Sequence, residues 1–224
     1  MAVDIEIKFC GLTRVEDAHA AGALGASFVG AIFAGGPRQL TPERAAEVLD
    51  GAGEAVQRVG VFAAADPPFI AHVARTARLD IAQLHGDPTA DDVRTVRDQA
   101  GVRVWAVIRV AVGGERNSGH DVWKRIEALE DAADGIVLDA YVPGQLGGTG
   151  VAFDWSTAAR SARRPRTRLV VAGGLNPVNV GAAIAALRPN VVDVSSGVER
   201  ERGVKDHERM RAFVAAVRHS EGRE

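Results

Sequence analysis

At 224 residues the chain has the length of one α/β barrel, and a domain of that size buries about 70–75% of the surface its unfolded chain exposes. Hydrophobic residues make up 46% and charged residues 25%, an ordinary globular balance that excludes a disordered or fibrous chain. A net charge of −2 and a pI near 6.3 give no electrostatic footprint for nucleic acid or an anionic membrane as partner.

From Val3 onward apolar and charged residues alternate, with no signal-peptide core, and no run of eighteen apolar residues follows anywhere. The sole cysteine, Cys10, rules out an internal disulfide and fits a reducing compartment, so a cytoplasmic location is expected. The first predicted strand is Ile5–Cys10, and Thr13-Arg14-Val15-Glu16 after it has the pattern of a capping box. Ser27–Ile32 is the second strand, followed by Thr41-Pro42, an N-cap residue before a proline at the first helical position. The same punctuation, Asp66-Pro67 and Asp87-Pro88, follows the third and fourth strands, Gln57–Phe62 and Ile81–Leu84. Val102–Ile108 is the fifth strand, and the polar stretch Gly113–Asp121 reads as the loop after it. Gly135–Leu138 is the sixth. The basic cluster Arg163–Arg168 reads as a solvated loop before the seventh strand, Leu169–Ala172, which Asn176-Pro177 follows. Val191–Val194 is the eighth strand, and the tail is expected to fray from about His219.

Eight strand–helix units in succession, spaced as βαβ units require, predict a single (β/α)₈ TIM-barrel domain spanning residues 1–224. Near-continuous apolar strands such as VRVWAVI agree with burial on both faces. An open doubly wound sheet is the structural alternative. In a barrel the site lies at the C-terminal strand ends, among the βα loops. There the chain places Cys10, Arg38, His85, Arg109, Asp139, Gly173-Gly174 and Asp193-Val194-Ser195-Ser196-Gly197. Gly147-Gly148-Thr149-Gly150, Gly173-Gly174 and Ser196-Gly197 are glycine-rich late in the barrel, where backbone amides cradle phosphate. A single such segment is as well explained by a tight turn; three together favour a phosphorylated small molecule as partner. Neither a P-loop nor a GxGxxG is present, which disfavours nucleotides.

Each candidate also has a plainer explanation. Cys10 is either a reactive thiol or a small buried hydrophobe, and Asp139 either an acid at the mouth or a loop cap. Arg38 either grips a carboxylate or forms a surface salt bridge. Asp193, inside a strand, is either functional or a hydrogen-bonded structural acid. His85, beside a turn glycine, reads as structural. His19, His72 and His120 lack metal-ligand spacing, so no metal site is expected. Trp105, Trp123 and Trp155 read as packing residues.

The ordered segments Lys8-Phe9-Cys10-Gly11-Leu12-Thr13, Pro37-Arg38, Gly60-Val61-Phe62, Gln83-Leu84-His85-Gly86, Leu138-Asp139, Gly147-Gly148-Thr149-Gly150, Phe153-Asp154-Trp155, Ala172-Gly173-Gly174-Leu175-Asn176-Pro177 and Val194-Ser195-Ser196-Gly197-Val198-Glu199 resemble the phosphoribosylanthranilate isomerases of tryptophan biosynthesis. The resemblance runs from Lys8 to about Asp206. It implies a cofactor-free Amadori rearrangement of N-(5-phosphoribosyl)anthranilate to 1-(2-carboxyphenylamino)-1-deoxyribulose 5-phosphate. It further implies Cys10 as general base, Asp139 as general acid, Arg38 on the anthranilate carboxylate and Asp193 beside the substrate. The phosphate would sit on Gly148, Gly173, Gly174, Ser195, Ser196 and Gly197. Two positions depart from the family: Phe9, often isoleucine, and Val151, where a lysine often follows the GGTG segment. The acid–base scheme asks for a lowered Cys10 pKa, from Lys8 or a helix N-terminus, and an Asp139 pKa raised by burial. With no lysine in the loops, backbone amides would carry the phosphate; Arg38, after strand two, would sit far from strands seven and eight.

Other phosphosugar barrels are the competing readings. An indole-glycerol-phosphate synthase needs an active-site lysine set, a ribulose-phosphate epimerase metal-ligating histidines, and a dual-substrate isomerase a two-fold internal repeat. None is visible in the sequence. A non-catalytic barrel subunit would need no acid–base pair. Either a monomer or a homodimer is compatible with the chain.

Overall fold

The computed structural model describes residues 4–64, 66–111, 119–141 and 165–222. Eight parallel strands close on themselves in sequence order: β1 (Glu6–Phe9), β2 (Phe28–Ile32), β3 (Gln57–Phe62), β4 (Ile81–Leu84), β5 (Arg103–Ala111), β6 (Gly135–Tyr141), β7 (Arg168–Ala172) and β8 (Val191–Val194). Pairing of β1 with β8, from Glu6↔Val191 to Phe9↔Val194, removes the open-sheet alternative. Around the sheet lie α1 (Val15–Ala23), α2 (Pro42–Asp50), α3 (Pro67–Thr76), α4 (Ala90–Ala100), α5 (Gly119–Leu129), α6 (Val180–Leu187) and α7 (His207–Ser220).

Strand alternation divides the interior in two. Outward residues such as Ile7, Val29, Ala82, Ile108 and Leu138 join the helices in the larger core. Inward ones, Phe28, Val59, Ile81, Trp105, Val107, Val137, Val170, Ala172 and Val191, fill the barrel, where Phe28 meets Trp105 edge-on at 5.0 Å. Period two carries the same inward face up to Lys8, Gln83, Arg109, Asp139 and Asp193 at the C-terminal ends. At the opposite end the barrel is plugged by Arg168 on Glu6 and by Arg103, which donates to Gln57 Oε1 at 3.0 Å.

Two helix caps form as the sequence predicts: Thr41 accepts from Arg44 N and Asp66 from Phe69 N, each before a proline. Three predictions need correction. Arg14, not Thr13, sits at the α1 N-cap, and Thr13 Oγ1 instead donates to Gly203 O at 2.5 Å. The α4 cap is Thr89, in a reciprocal box with Asp92; Asp87 lies before it with a positive φ of 53°. Asn176 accepts from Val178 N and Asn179 N in a turn, and α6 starts only at Val180. Only at α4 does the replacing residue cap with its side chain; Arg14 and Asn179 make no side-chain cap bond. Likewise α5 already includes Gly119–Asp121 of the expected polar loop. Of the basic cluster, Arg166 is exposed on Glu130 and Asp131, whereas Arg168 begins β7 and pairs with Glu6.

After β8 the chain makes a short 3₁₀ turn, Ser196–Val198, then a hairpin of β9 (Glu199–Glu201) and β10 (Val204–Lys205), before α7. Nothing in three residues reading ERE marks a strand by periodicity. The hairpin is tied to α1: Asp17, fully buried, accepts from Lys205 N at 3.0 Å and pairs with His207 Nε2 at 2.8 Å. The α7 helix reaches Ser220, Arg218 donates to Ile5 O at 2.9 Å, and Glu221 accepts from Ile5 N, closing the last helix on the first strand.

Candidate active site

A thiol and a buried ion pair share the end of β1. Lys8 has no exposed side-chain surface, and its Nζ donates to Asp193 Oδ2, on the neighbouring β8, at 2.7 Å. Burial works against the Lys8 charge, but Asp193 and Cys10 outweigh it, and its pKa ends above the ordinary lysine value. The other oxygen of Asp193, Oδ1, is buried with no hydrogen-bond partner among the described residues. Burial therefore dominates Asp193 and raises its pKa, despite Lys8. A buried ion pair is poor stabilisation compared with apolar packing, because both charges lose their water. Its place at the C-terminal mouth of the barrel, above the apolar interior layer, points to function.

Cys10 stands one inward step beyond Lys8. Burial pushes its thiol pKa up, with Lys8 opposing, which corrects the lowered value that the acid–base scheme asks for. Room for the thiol comes from Gly30 on β2, where a Cβ would lie 3.2 Å from Cys10 Sγ and 3.4 Å from Lys8 Cε. Gly30 is a site residue that the sequence did not reveal, since a strand glycine has many uses.

The second network is built on Glu199 at the hairpin base. Arg38 donates to it through Nε (2.7 Å) and Nη2 (2.6 Å), and Lys205 Nζ approaches at 3.0 Å. Lys205 also donates to Cys10 O at 2.7 Å and Ser195 O at 3.0 Å, pinning the ends of β1 and β8 together. Burial disfavours the Glu199 charge, yet Arg38 and Lys205 prevail and hold its pKa below the usual glutamate range. The pKa of Lys205 itself is lowered by burial. One expectation fails here. Arg38 is not remote from strand eight, because ring closure leaves only β1 between them: a Cβ on Gly11 would meet both Arg38 Cδ (2.8 Å) and Ser195 Oγ (3.0 Å). The mouth also holds two buried lysines, Lys8 on Asp193 and Lys205 on Glu199 and two carbonyls. Neither Glu199 nor Lys205 was singled out for its side chain; only the tail of one motif includes Glu199.

Gly173 and Gly174 follow β7 with φ of 88° and 64°, conformations that favour glycine. A Cβ on Gly197 would lie 1.8 Å from Leu175 O, so the β7 and β8 loops touch backbone to backbone. Ser195 and Ser196 border the same seam. Gly148, Val151 and Trp155 lie outside the described residues. Trp105 is core, and Trp123 is partly buried against the outer core. His19 and His72 are exposed on α1 and α3. Among the described residues no cluster of three or more histidine, cysteine or acidic side chains could hold a metal ion.

On the far side of the ring, Asp139 of β6 keeps 21% of its side chain exposed. Its Oδ2 lies 2.8 Å from His85 Nε2. The mouth thus arranges, in ring order, Asp139 on β6, glycine loops after β7 and β8, Cys10 on β1 and Arg38 after β2.

Residues 7–216 match the family model of N-(5'-phosphoribosyl)anthranilate (PRA) isomerase. The chain belongs to this family. An N-(5'-phosphoribosyl)anthranilate isomerase of Pseudomonas aeruginosa (strain LESB58) is 43% identical over 215 residues, covering 96% of this chain and 95% of the relative. The Thermotoga maritima phosphoribosylanthranilate isomerase structure superposes with a TM-score of 0.81 at 32% identity, over 96% of this chain and 99% of that one. A phosphoribosylanthranilate isomerase solved in complex with reduced 1-(o-carboxyphenylamino)-1-deoxyribulose 5-phosphate gives 0.78 at 31% identity, over 96% and 99%. The chain is therefore an isomerase with the PRA isomerase barrel. No described helix is long and apolar enough to cross a membrane.

Proposed function

We propose that this chain converts N-(5-phosphoribosyl)anthranilate to 1-(2-carboxyphenylamino)-1-deoxyribulose 5-phosphate, with Asp139 as general acid and Cys10 as general base. One observation carries the assignment of roles: the two groups face into a single barrel mouth, three strands apart, flanking the β7 and β8 glycine loops. Asp139 gives a proton to the furanose ring oxygen as the C1–O bond breaks, and the anthranilate nitrogen lone pair forms the iminium. That cation acidifies C2 of the sugar. The Cys10 thiolate removes the C2 proton, the C–H electrons neutralise the iminium, and the enolamine tautomerises to the aminoketose. Electrons are conserved within the substrate, so acid–base groups suffice. Asp193 Oδ1 is available to accept from a sugar hydroxyl. Following consumption of phosphoribosylanthranilate by its fluorescence tests the activity directly: no loss of fluorescence above the uncatalysed rate would refute it.

The phosphate is assigned to the backbone of the loops after β7 and β8. Inorganic phosphate should then inhibit competitively, and crystals grown in sulfate should show the anion beside Gly174 and Gly197. An anion found only elsewhere would overturn that assignment.

Arg38 is assigned to the substrate carboxylate. Glu199 takes the Nε–Nη2 edge of the guanidinium, and the Nη1–Nη2 edge suits a second carboxylate. Arg38→Ala should raise KM on the order of 10-fold or more, as loss of a charge-assisted bond worth about 1.5–3 kcal/mol implies, while the inhibition constant of free phosphate stays put. Because Arg38 lies close to Ser195, equal weakening of phosphate inhibition would move it to the phosphate site. A cytosolic location, as a monomer or homodimer, completes the proposal and is supported by the single free cysteine.

A further inference from the structure

Period two gives β4 an inward face of Ile81, Gln83 and, just past its end, His85. The His85 main chain is fixed by its N–H on Phe62 O at 2.8 Å. The next residue, Gly86, lies so close to the β3 loop that a Cβ would come 2.1 Å from Ala63 O. Yet the imidazole is 35% exposed, so apolar packing does not explain its placement. It reaches across the end of β5 to Asp139 Oδ2 on β6, at 2.8 Å. A rigid backbone thus delivers a ring nitrogen to one oxygen of the carboxyl assigned as the acid.

We infer that His85 is a positioning residue for Asp139: its Nε2–H donates to Oδ2, so that the acid's transferable proton is carried on Oδ1, towards the substrate. The inference rests on the acid assignment above. Before the reaction the donated bond fixes which oxygen holds the proton and the plane of the carboxyl. The proton passes from Oδ1 to the ring oxygen, and the carboxylate left behind is stabilised by the same N–H, which stays on the histidine. The reverse arrangement, Oδ2–H donating to Nε2, would aim the proton at the histidine and away from the sugar. Ionisable groups on the elements around this pair are Arg109 on β5, Asp87 in the β4 loop with Arg125 of α5 on it, Asp193 on β8, and Lys8 and Cys10 at the end of β1. β3 contributes only apolar inward residues at this level.

The two arrangements differ in sign. A donor to the carboxylate favours its ionised form, so removing it raises the Asp139 pKa; a bond to the neutral acid does the opposite. His85→Leu should therefore lower kcat by about 10- to 100-fold with KM within a few-fold, and move the acid limb of the kcat/KM profile to higher pH. His85→Gln, which keeps an N–H donor, should recover much of the rate and return the limb. Long-range ¹H–¹⁵N NMR of the unmodified protein should place the His85 proton on Nε2, a measurement independent of how the variants fold. An acid limb that stays or moves down, a kcat within three-fold of the unmodified enzyme, or a neutral Nδ1–H ring would each overturn the inference. Asp139→Asn measured alongside separates the two failures. If it is inactive while His85→Leu is normal, only the histidine role is lost; if it is active, the acid assignment falls first.

Discussion

Cys10→Ser should lower kcat on phosphoribosylanthranilate by on the order of 10³-fold or more, a loss near the top of the range for one acid–base group. The reason is ionisation. Burial already pushes the Cys10 thiol up, with the Lys8 ammonium pulling the other way, so the thiolate is a minor species at neutral pH. A serine hydroxyl, a far weaker acid than a thiol, would have no useful anion in the same site. The variant should fold: the side chain is nearly isosteric, and Lys8, Asp193 and the Gly30 gap are untouched. Circular dichroism checks the fold and steady-state assay the rate. In the unmodified enzyme the kcat/KM profile should be bell-shaped. Its alkaline limb should lie above about 8.5, the ordinary thiol value, because the folded-state pKa of Cys10 is raised. An alkaline limb below that value, or near-normal turnover by the serine variant, would remove Cys10 from the base role.

Asp139→Asn should cost as much, because the amide has no proton acidic enough to reach the ring oxygen. Binding of a product analogue should change only a few-fold, since the amide keeps the shape and a hydrogen bond with His85. This variant also separates the two acids of the mouth. Asp193 is the one whose pKa burial raises, but its Oδ2 is held by Lys8. If Asp193 were the proton donor, Asp193→Asn would be the dead enzyme and Asp139→Asn a working one. Asp139 as donor gives the opposite order for the chemical step, read by single-turnover kinetics.

Much of this was legible in one dimension. Gln57–Phe62, Ile81–Leu84 and Val191–Val194 have the boundaries expected of them, because buried parallel strands are short apolar runs bounded by polar or turn residues. Cys10, Asp139 and Asp193 could be nominated because each puts a reactive or charged group at the end of such a run. Less legible were features whose meaning depends on a partner distant in sequence. Thr13 looks like a helix cap until Gly203 approaches it, 190 residues away. The carboxylate that holds Lys8 is likewise hidden until Asp193 faces it, 185 residues away.

The sequence by itself determined the number and order of the barrel strands and the end of the barrel at which chemistry sits, while the roles of Cys10 and Asp139 there are what the family resemblance implies. The strands follow from local periodicity, and the candidate residues from the cost of burying a polar group without a reason. Closure of the ring was decided only in three dimensions, and with it the proximity of Arg38 to the β8 loop. So were the two buried lysine–carboxylate networks and the 2.8 Å contact from His85 to Asp139. Charge pairing falls off with spatial distance, not with separation along the chain, so a charged side chain shows its partner only when the strands that carry them have closed.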